Sequence, residues 1–326
     1  MSVPAASPNR HVRFPVGIPG TPWGAVERAQ WLTLQRKHRD YFTEVVSPLM
    51  RLGPASHVDI LCYGQLEYRE FGSARFPLFA AKSVPWKAEL PMVAVTGGVH
   101  GYETSGIHGA LLFIQHFLVE EAAKGVNVLV LPCVSPWGYE MTHRWTPKAV
   151  DPNRQFNPAN PGCDEAALAM RCIEDHRLAS AALLLHIDLH ETTDTDNSVF
   201  TPSKFARDGL TEDKYDKWYP IPDGFYVFGD NSRERPQDEF SQHIIAAVEK
   251  VTHIAEADAD GCIVGERIAH RGVLLAPGAG TADAHSTARY VTTTEVYPDS
   301  PQTTPEQCNR AQATAVRAAI QYVLCH

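Results

Sequence analysis

No run of apolar residues in this chain approaches the roughly 18 that a membrane-spanning helix requires. The N-terminus, Met1-Ser2-Val3-Pro4-Ala5-Ala6-Ser7-Pro8, lacks the basic and apolar regions of a signal peptide. Positive charge is scarce: 29 Lys and Arg stand against 38 Asp and Glu, a formal charge of −9, and no block of basic residues occurs. That balance argues against non-specific binding to nucleic acid or to an anionic membrane. Cysteine pairs are missing as well. Cys62, Cys133, Cys163, Cys172, Cys262, Cys308 and Cys325 are odd in number, scattered, and never spaced as CxxC. They read as buried free thiols of a reducing compartment. These absences describe a soluble, cytoplasmic, mildly acidic protein with no nucleic-acid or membrane partner, and nothing in the sequence specifies an oligomeric state.

What is present is ordinary globular material. Hydrophobic residues make up 44% and charged residues 21% of the 326, which excludes a wholly disordered or collagen-like chain. A chain of this size buries about 75% of its unfolded surface, so its core needs no disulfides. At roughly 150 residues per domain the length suggests two. With no internal repeat and no low-complexity tract, however, one domain carrying a loop insertion is the simpler reading.

Residues 1–50 read as a Pro- and Gly-rich arm followed by a surface helix, Ala25 to Val46, started by Thr21-Pro22. From residue 51 onward strands and helices alternate. Val58–Tyr63, Pro77–Ala81, Met92–Thr96, Val126–Leu131, Ala182–His190 and Tyr290–Val296 are strand-like. Ile107, Leu111, Ile114 and Leu118, spaced 4, 3 and 4, give one face to a helix over Glu103–Lys124. Further helices are expected over Asp164–Ser180, Asp238–Ala255 and from Thr304-Pro305-Glu306 to about Leu324. The polar stretch 192–237 is weakly periodic, and a loop of that length is usually functional or partly disordered. Alternation of this kind predicts a single α/β domain with a twisted, mixed, mainly parallel sheet and helices on both faces.

Four constellations carry chemistry. In Gly97-Gly98-Val99-His100-Gly101-Tyr102-Glu103, a His and a Glu three apart follow a buried strand and open a helix. That is where open α/β sheets bind ligands, and zinc accepts an imidazole together with a carboxylate. A glutamate at a helix start also simply suits the helix dipole. In His186-Ile187-Asp188-Leu189-His190-Glu191-Thr192-Thr193, positions 186, 188 and 190 share one strand face. His190, nearest the strand's carboxyl end, is the best third ligand, whereas His186 reads as a hydrogen-bonded core residue. Asp188 either orients a ligand imidazole or pairs with His186. In Val150-Asp151-Pro152-Asn153-Arg154, preceded by Ser135-Pro136-Trp137-Gly138 and His143-Arg144-Trp145, an arginine fork beside an amide suits a carboxylate, although Asp-Pro-Asn also favours a plain turn. Glu295, alone in the β-branched run Thr292–Val296, is either a buried acid held for proton transfer or the solvent face of an edge strand.

Taken in order, these motifs resemble the zinc metallocarboxypeptidase superfamily, which includes carboxypeptidase A-like enzymes, murein-peptide amidases and the aspartoacylase and succinylglutamate desuccinylase branch. The resemblance rests on His100/Glu103, Pro136/Gly138, Asp151/Asn153/Arg154, His190 and Glu295, and spans about 200 of the 326 residues, Met92 to Tyr297. It implies that His100, Glu103 and His190 bind one zinc ion and that Asp151 orients His100. It further implies that Asn153 and Arg154 grip a substrate carboxylate, that Glu295 is the general base and acid, and that Arg144 is the nearest candidate for the arginine stabilising the oxyanion. Pro152 departs from the family's usual small residue or Leu. The tyrosine that closes over substrate in digestive members has only Tyr226 and Tyr290 as candidates. Asp188-Leu189-His190-Glu191-Thr192-Thr193 looks more like the aspartoacylase branch.

The expected activity is zinc-dependent hydrolysis of an amide bond next to a free carboxylate, by a metallocarboxypeptidase acting on short peptides. The alternatives are an N-acyl-amino-acid deacylase of the aspartoacylase type and a catalytically degenerate binding module. Gly278–Asp283 falls where related peptidases line their specificity pocket, and Asp283 there either receives a basic side chain or caps a turn.

Overall fold

The computed structural model describes residues 14–52, 57–72, 75–211, 219–232, 237–276 and 286–326. In chain order the helices are α1 (Ala25–Leu34), α2 (Ser47–Met50), α3 (Thr104–His116), α4 (Leu118–Ala122), α5 (Pro136–Met141), α6 (Asp164–Leu178), α7 (Thr201–Asp208), α8 (Gln237–Val248) and α9 (Pro305–Cys325). The strands are β1 (Val58–Glu67), β2 (Arg75–Ser83), β3 (Met92–Gly97), β4 (Asn127–Leu131), β5 (Leu183–Glu191), β6 (Tyr226–Gly229), β7 (Cys262–Ile263), β8 (Glu266–Arg267), β9 (Val273–Leu275) and β10 (Tyr290–Val296).

Eight strands form one sheet in the order β1-β2-β4-β3-β5-β10-β6-β9, and β7 and β8 make a separate small hairpin. The pairs β3–β4, β3–β5, β5–β10 and β6–β9 are parallel, while β1–β2, β2–β4 and β10–β6 are antiparallel. β3, β4 and β5 are buried along their whole length, as continuous apolar runs require of central parallel strands. One face of the sheet packs under α3, α8 and α9 and the other under α6. The mixed, mainly parallel sheet with helices on both faces is therefore as the alternation indicates.

Several elements differ from the sequence reading. The helix expected over Ala25–Val46 is two pieces. α1 buries Trp31, whereas Tyr41, Val45 and Leu49 form a second buried row across a π-helical turn, Phe42–Val46, and α2. On one continuous helix Trp31 and Tyr41 would point about 80° apart, so the chain breaks between them to bury both. Nor does Thr21-Pro22 start α1; Gly24 precedes it, its N–H donating to Glu27 at 2.8 Å. Glu103–Lys124 breaks at Phe117 into α3 and α4. The stretch 192–237 is no plain loop. It contains α7 and also β6, which pairs with β10 in the main sheet and was hidden because four residues between turn formers show no periodicity. Thr304 caps α9 as expected, accepting from the Gln307 N–H at 3.2 Å.

All seven cysteines are free. Cys133, Cys172 and Cys308 are buried, but Cys62, on edge strand β1, and Cys325, at the end of α9, are exposed, contrary to a uniformly buried set. Among the described residues no helix is long and apolar enough to cross a membrane.

One buried acid sits away from the carboxyl edge of the parallel strands. Glu165, in the first turn of α6, is 1% exposed and accepts a hydrogen bond from the Tyr68 hydroxyl. Burial pushes its carboxyl up to about 7. Because the folded value lies above the unfolded one, the unfolded chain releases this proton first as pH rises. Stability therefore falls between about pH 4.5 and 7, by about 3 kcal/mol, and levels off above. Glu165→Gln keeps the acceptor for Tyr68 and removes the titration. Thermal melts should show the variant gaining on wild type from pH 5 to pH 8; a constant difference in melting temperature refutes this.

Candidate active site

The site is assembled where β3, β5 and β10 end. The turn after β3 carries His100, and Glu103 immediately precedes the first residue of α3. β5 presents His190, and β10 places Glu295 beside it in parallel register. Leu185, Ile187 and Leu189 enter the core under α3 and α9, so residues 186, 188 and 190 point to the opposite face. Two glycines set the closeness of this convergence. A Cβ on Gly106 would lie 2.4 Å from the Leu189 carbonyl oxygen, and one on Gly101 would lie 2.0 Å from the Tyr139 nitrogen. Only glycine lets α3 press onto β5 and the His100 turn onto α5.

His100, Glu103 and His190 are all buried, and one ligand atom from each lies within 4.8 Å of the others. Both imidazoles turn Nδ1 toward the same carboxylate: His100 Nδ1 is 2.7 Å from Glu103 Oε1, and His190 Nδ1 is 2.6 Å from Glu103 Oε2. Both hand Nε2 to an outer carboxylate, Asp151 at 3.0 Å for His100 and Asp188 at 2.7 Å for His190. Asp188 is fixed in turn by the Thr96 hydroxyl, which donates at 2.6 Å. Asp188 thus orients His190, while His186, buried and 3.2 Å from Thr96 Oγ1, stays in the core.

The electrostatics follow from this packing. Burial alone would raise Glu103, yet the two imidazoles outweigh it and hold the carboxyl below its usual range. Burial would lower His190, yet Asp188 and Glu103 outweigh that and hold it well above its ordinary value. Glu103 Oε2, for all its closeness to His190, makes no hydrogen bond. Two imidazole nitrogens and a carboxylate facing one point, each imidazole backed by a carboxylate, are the donor set of a catalytic zinc site with room for water. The residues fit a zinc ion.

A cavity of about 240 Å³ opens on these three residues and is lined also by Arg144, Asn153, Arg154, Tyr226 and Glu295. The Glu295 carboxylate accepts from Thr192 Oγ1 at 2.9 Å, and that hydroxyl is 2.6 Å from the Tyr226 hydroxyl. Burial, reinforced by Glu103 and opposed by His190, pushes Glu295 up to about 8. Glu295 is therefore no solvent face of an edge strand. Asn153 and Arg154 stand on a short 3₁₀ turn, Pro152–Arg154, that Asp151 caps by accepting the Asn153 N–H at 3.0 Å. Proline suits the first position of that turn, which accounts for Pro152. Asn153 Oδ1 and Thr293 Oγ1 are buried at the cavity without hydrogen-bond partners. Arg144 also lines it, with Nε 3.0 Å from Asp151 Oδ2 and Nη1 3.4 Å from Asp196 Oδ1.

His100, Glu103, Arg144, Asn153, Arg154, His190 and Glu295 thus line one cavity, and Asp151 borders it through His100 and Arg144. The tyrosine candidates separate. Tyr226 is a buried wall of the cavity, tied to Thr192, whereas Tyr290 lies at the far end of β10, packed on Phe240 and Tyr322. Asp283 lies outside the described residues. Three residues have no role assigned from the sequence. Thr192 and Glu191 follow His190 directly. The Glu191 carboxylate accepts the N–H groups of Thr104 at 3.0 Å and Ser105 at 2.6 Å, tying the start of α3 to β5. Asp196 lies in the aperiodic 192–237 stretch, where no pattern marks it; it accepts from the Tyr102 hydroxyl at 2.6 Å.

Asp188→Asn, which leaves His100, Glu103 and His190 in place, should weaken zinc binding roughly 10- to 100-fold. Competition against a zinc chelator measures this. Unchanged affinity in that variant would mean that Asp188 does not support the ligand.

Residues 77–176 match the zinc carboxypeptidase family. That segment holds His100, Glu103 and the run from Arg144 to Arg154 and stops short of His190 and Glu295. A search of the curated proteins finds no match. Among solved structures, a candidate metallopeptidase from Shewanella amazonensis SB2B is 21% identical, with a TM-score of 0.60 over 92% of this chain and 93% of that one. A second, from Shewanella denitrificans OS217, is 18% identical, with a TM-score of 0.61 over 86% and 88%. A metallo-carboxypeptidase from Burkholderia cenocepacia is 12% identical, with a TM-score of 0.54 over 93% and 69%. The chain has a carboxypeptidase-like fold, and its segment 77–176 matches the zinc carboxypeptidase family.

Proposed function

We propose that the protein is a zinc-dependent hydrolase that cleaves an amide bond adjacent to a free carboxylate, acting as a metallocarboxypeptidase on short peptides. The family segment and the fold support a metallopeptidase-type hydrolase. The observation that carries the finer reading is the single cavity shared by the His100/Glu103/His190 cluster, Glu295 and the Asn153–Arg154 pair. When bound, zinc supplies Lewis acidity and lowers the pKa of water to about 7.

The chain's own groups then divide the work. The Arg154 fork and the Asn153 amide hold the substrate's terminal carboxylate. Glu295, steadied by Thr192, takes a proton from the attacking water and returns it to the leaving amine. Arg144, held between Asp151 and Asp196, presents its guanidinium to the charge that develops on the carbonyl oxygen. A second reading, an N-acyl-amino-acid deacylase, draws on the modest cavity of about 240 Å³ walled by Tyr226, Phe228 and Val264, which suits an amino acid bearing a short acyl group. Product analysis separates the two, since one releases a C-terminal amino acid and the other acetate or succinate. Stoichiometric zinc without hydrolysis of either substrate set would leave a binding module.

Glu295→Gln should keep zinc and lose roughly 10²- to 10⁴-fold in turnover. Near-normal turnover removes Glu295 from the chemistry. The carboxylate grip is tested by comparing a free-acid peptide with its C-terminal amide. Amidation removes the charge and one of the two acceptor oxygens, so kcat/KM should fall roughly 10- to 100-fold. Arg154→Lys should not restore discrimination, because an ammonium lacks the planar fork, while zinc content stays constant. Equal turnover of acid and amide by the wild type contradicts the proposed reaction in both of its forms.

A further inference from the structure

A second cavity, of about 470 Å³, adjoins the first and shares Arg144, Arg154 and Asp196 with it. Its size falls in the range of ligand pockets. The lining is unusual for a chain of net charge −9: five cations, Arg28, Arg144, Arg154, Lys204 and Arg207, stand against three carboxylates, Asp151, Asp196 and Asp208. The carboxylates are committed. Asp151 and Asp196 hold Arg144, and Asp208 takes Arg207 through Nε at 2.8 Å and Nη2 at 3.2 Å. Arg207 is further fixed by the Ala149 carbonyl at 3.0 Å and by stacking over Trp145 at 4.4 Å, so it forms a wall. Arg28 donates one N–H to the Lys148 carbonyl at 2.7 Å. Among the described residues neither Arg28 nor Lys204 has a carboxylate partner within ion-pair distance.

We infer that this cavity is an extension of the substrate site that reads acidic side chains, so that the preferred substrates are short peptides carrying carboxylates besides the terminal one. The inference rests on the peptidase reading and names its substrate class. The cations come from separate segments, Arg28 on α1, Arg154 on the 3₁₀ turn and Lys204 on α7. Supplied as separate side chains from three segments, and not as converging backbone N–H groups of the kind that cradle a compact phosphate, they suit several carboxylates of one peptide. Like-signed walls also raise the local concentration of anionic peptide and repel basic ones.

The test reads binding, independently of turnover. Zinc-loaded, full-length Glu295→Gln protein is titrated calorimetrically with tri-glutamate and with tri-glutamine, which differ in side-chain charge alone. Tri-glutamate should bind at least about tenfold more tightly, and the advantage should shrink as salt rises from 0.05 to 0.5 M. Adding Arg28→Gln and Lys204→Gln together should abolish the preference while leaving tri-glutamine binding unchanged. Failure of tri-glutamate to bind, equal binding of the two peptides, or a preference that survives the double substitution each overturn the inference. Displacement of tri-glutamate by equimolar inorganic phosphate overturns it in favour of a phosphate site. Wild type that binds tri-glutamate selectively but cleaves no peptide counts against the peptidase reading and leaves the acidic-ligand site standing.

Discussion

Glu103 is a carboxylate buried between two imidazoles at the junction of β3, α3 and β5. An isolated charge there is costly, and the surrounding structure is arranged to meet that cost. His100 and His190 flank it. Asp151 and Asp188 hold those imidazoles from behind, and Thr96 holds Asp188. The backbone is bent to the same end. Glycines 101 and 106 allow the close approach of three segments, and the Glu191 carboxylate ties the first N–H groups of α3 to β5. Carboxylates outnumber fixed cations in this cluster, and a bound divalent ion would supply positive charge there.

Arg144 links that centre to the rest of the site. Its guanidinium lies between Asp151, which also orients His100, and Asp196, which also receives the Tyr102 hydroxyl. One side chain thus couples the His100/Glu103/His190 group, the Asn153–Arg154 turn and the segment leading into α7. Aromatic packing stiffens the platform behind it. Trp31, Trp137 and Trp145 surround His143, which burial pushes down to about 3, so the ring is neutral and accepts the Trp145 backbone N–H at Nδ1 at 3.0 Å. Trp31 and Trp23 bring the N-terminal segment into the same core, so residues before β1 contribute to the surroundings of the site.

The parallel core of the sheet was legible because β3, β4 and β5 are buried on both faces and must be apolar throughout. α9 was legible from its start, where Thr304 caps the helix and Pro305 takes its first position. Failures came where burial depends on distant partners. The break between Trp31 and Tyr41 follows from two separate surfaces to be filled, and β6 exists because β10 offers it a ladder. Neither cause lies within the segment itself.

Local sequence determined the identity of the site's chemical groups. His100 and Glu103 are three residues apart on one turn, Asp151 to Arg154 form one capped turn, and His190 is the next-to-last residue of a strand; spacing along the backbone fixes these relations before any packing occurs. Tertiary structure decided the rest. It chose Nδ1 of both imidazoles as the inward atom, gave Asp188 to His190 instead of His186, and brought Glu295 beside His190 through strand register. It also recruited Asp196 from a stretch with no pattern of its own. These outcomes depend on contacts between residues up to about 100 positions apart, such as Thr192 and Glu295. No local pattern encodes them, because the free energy that selects them is available only once the whole sheet has formed.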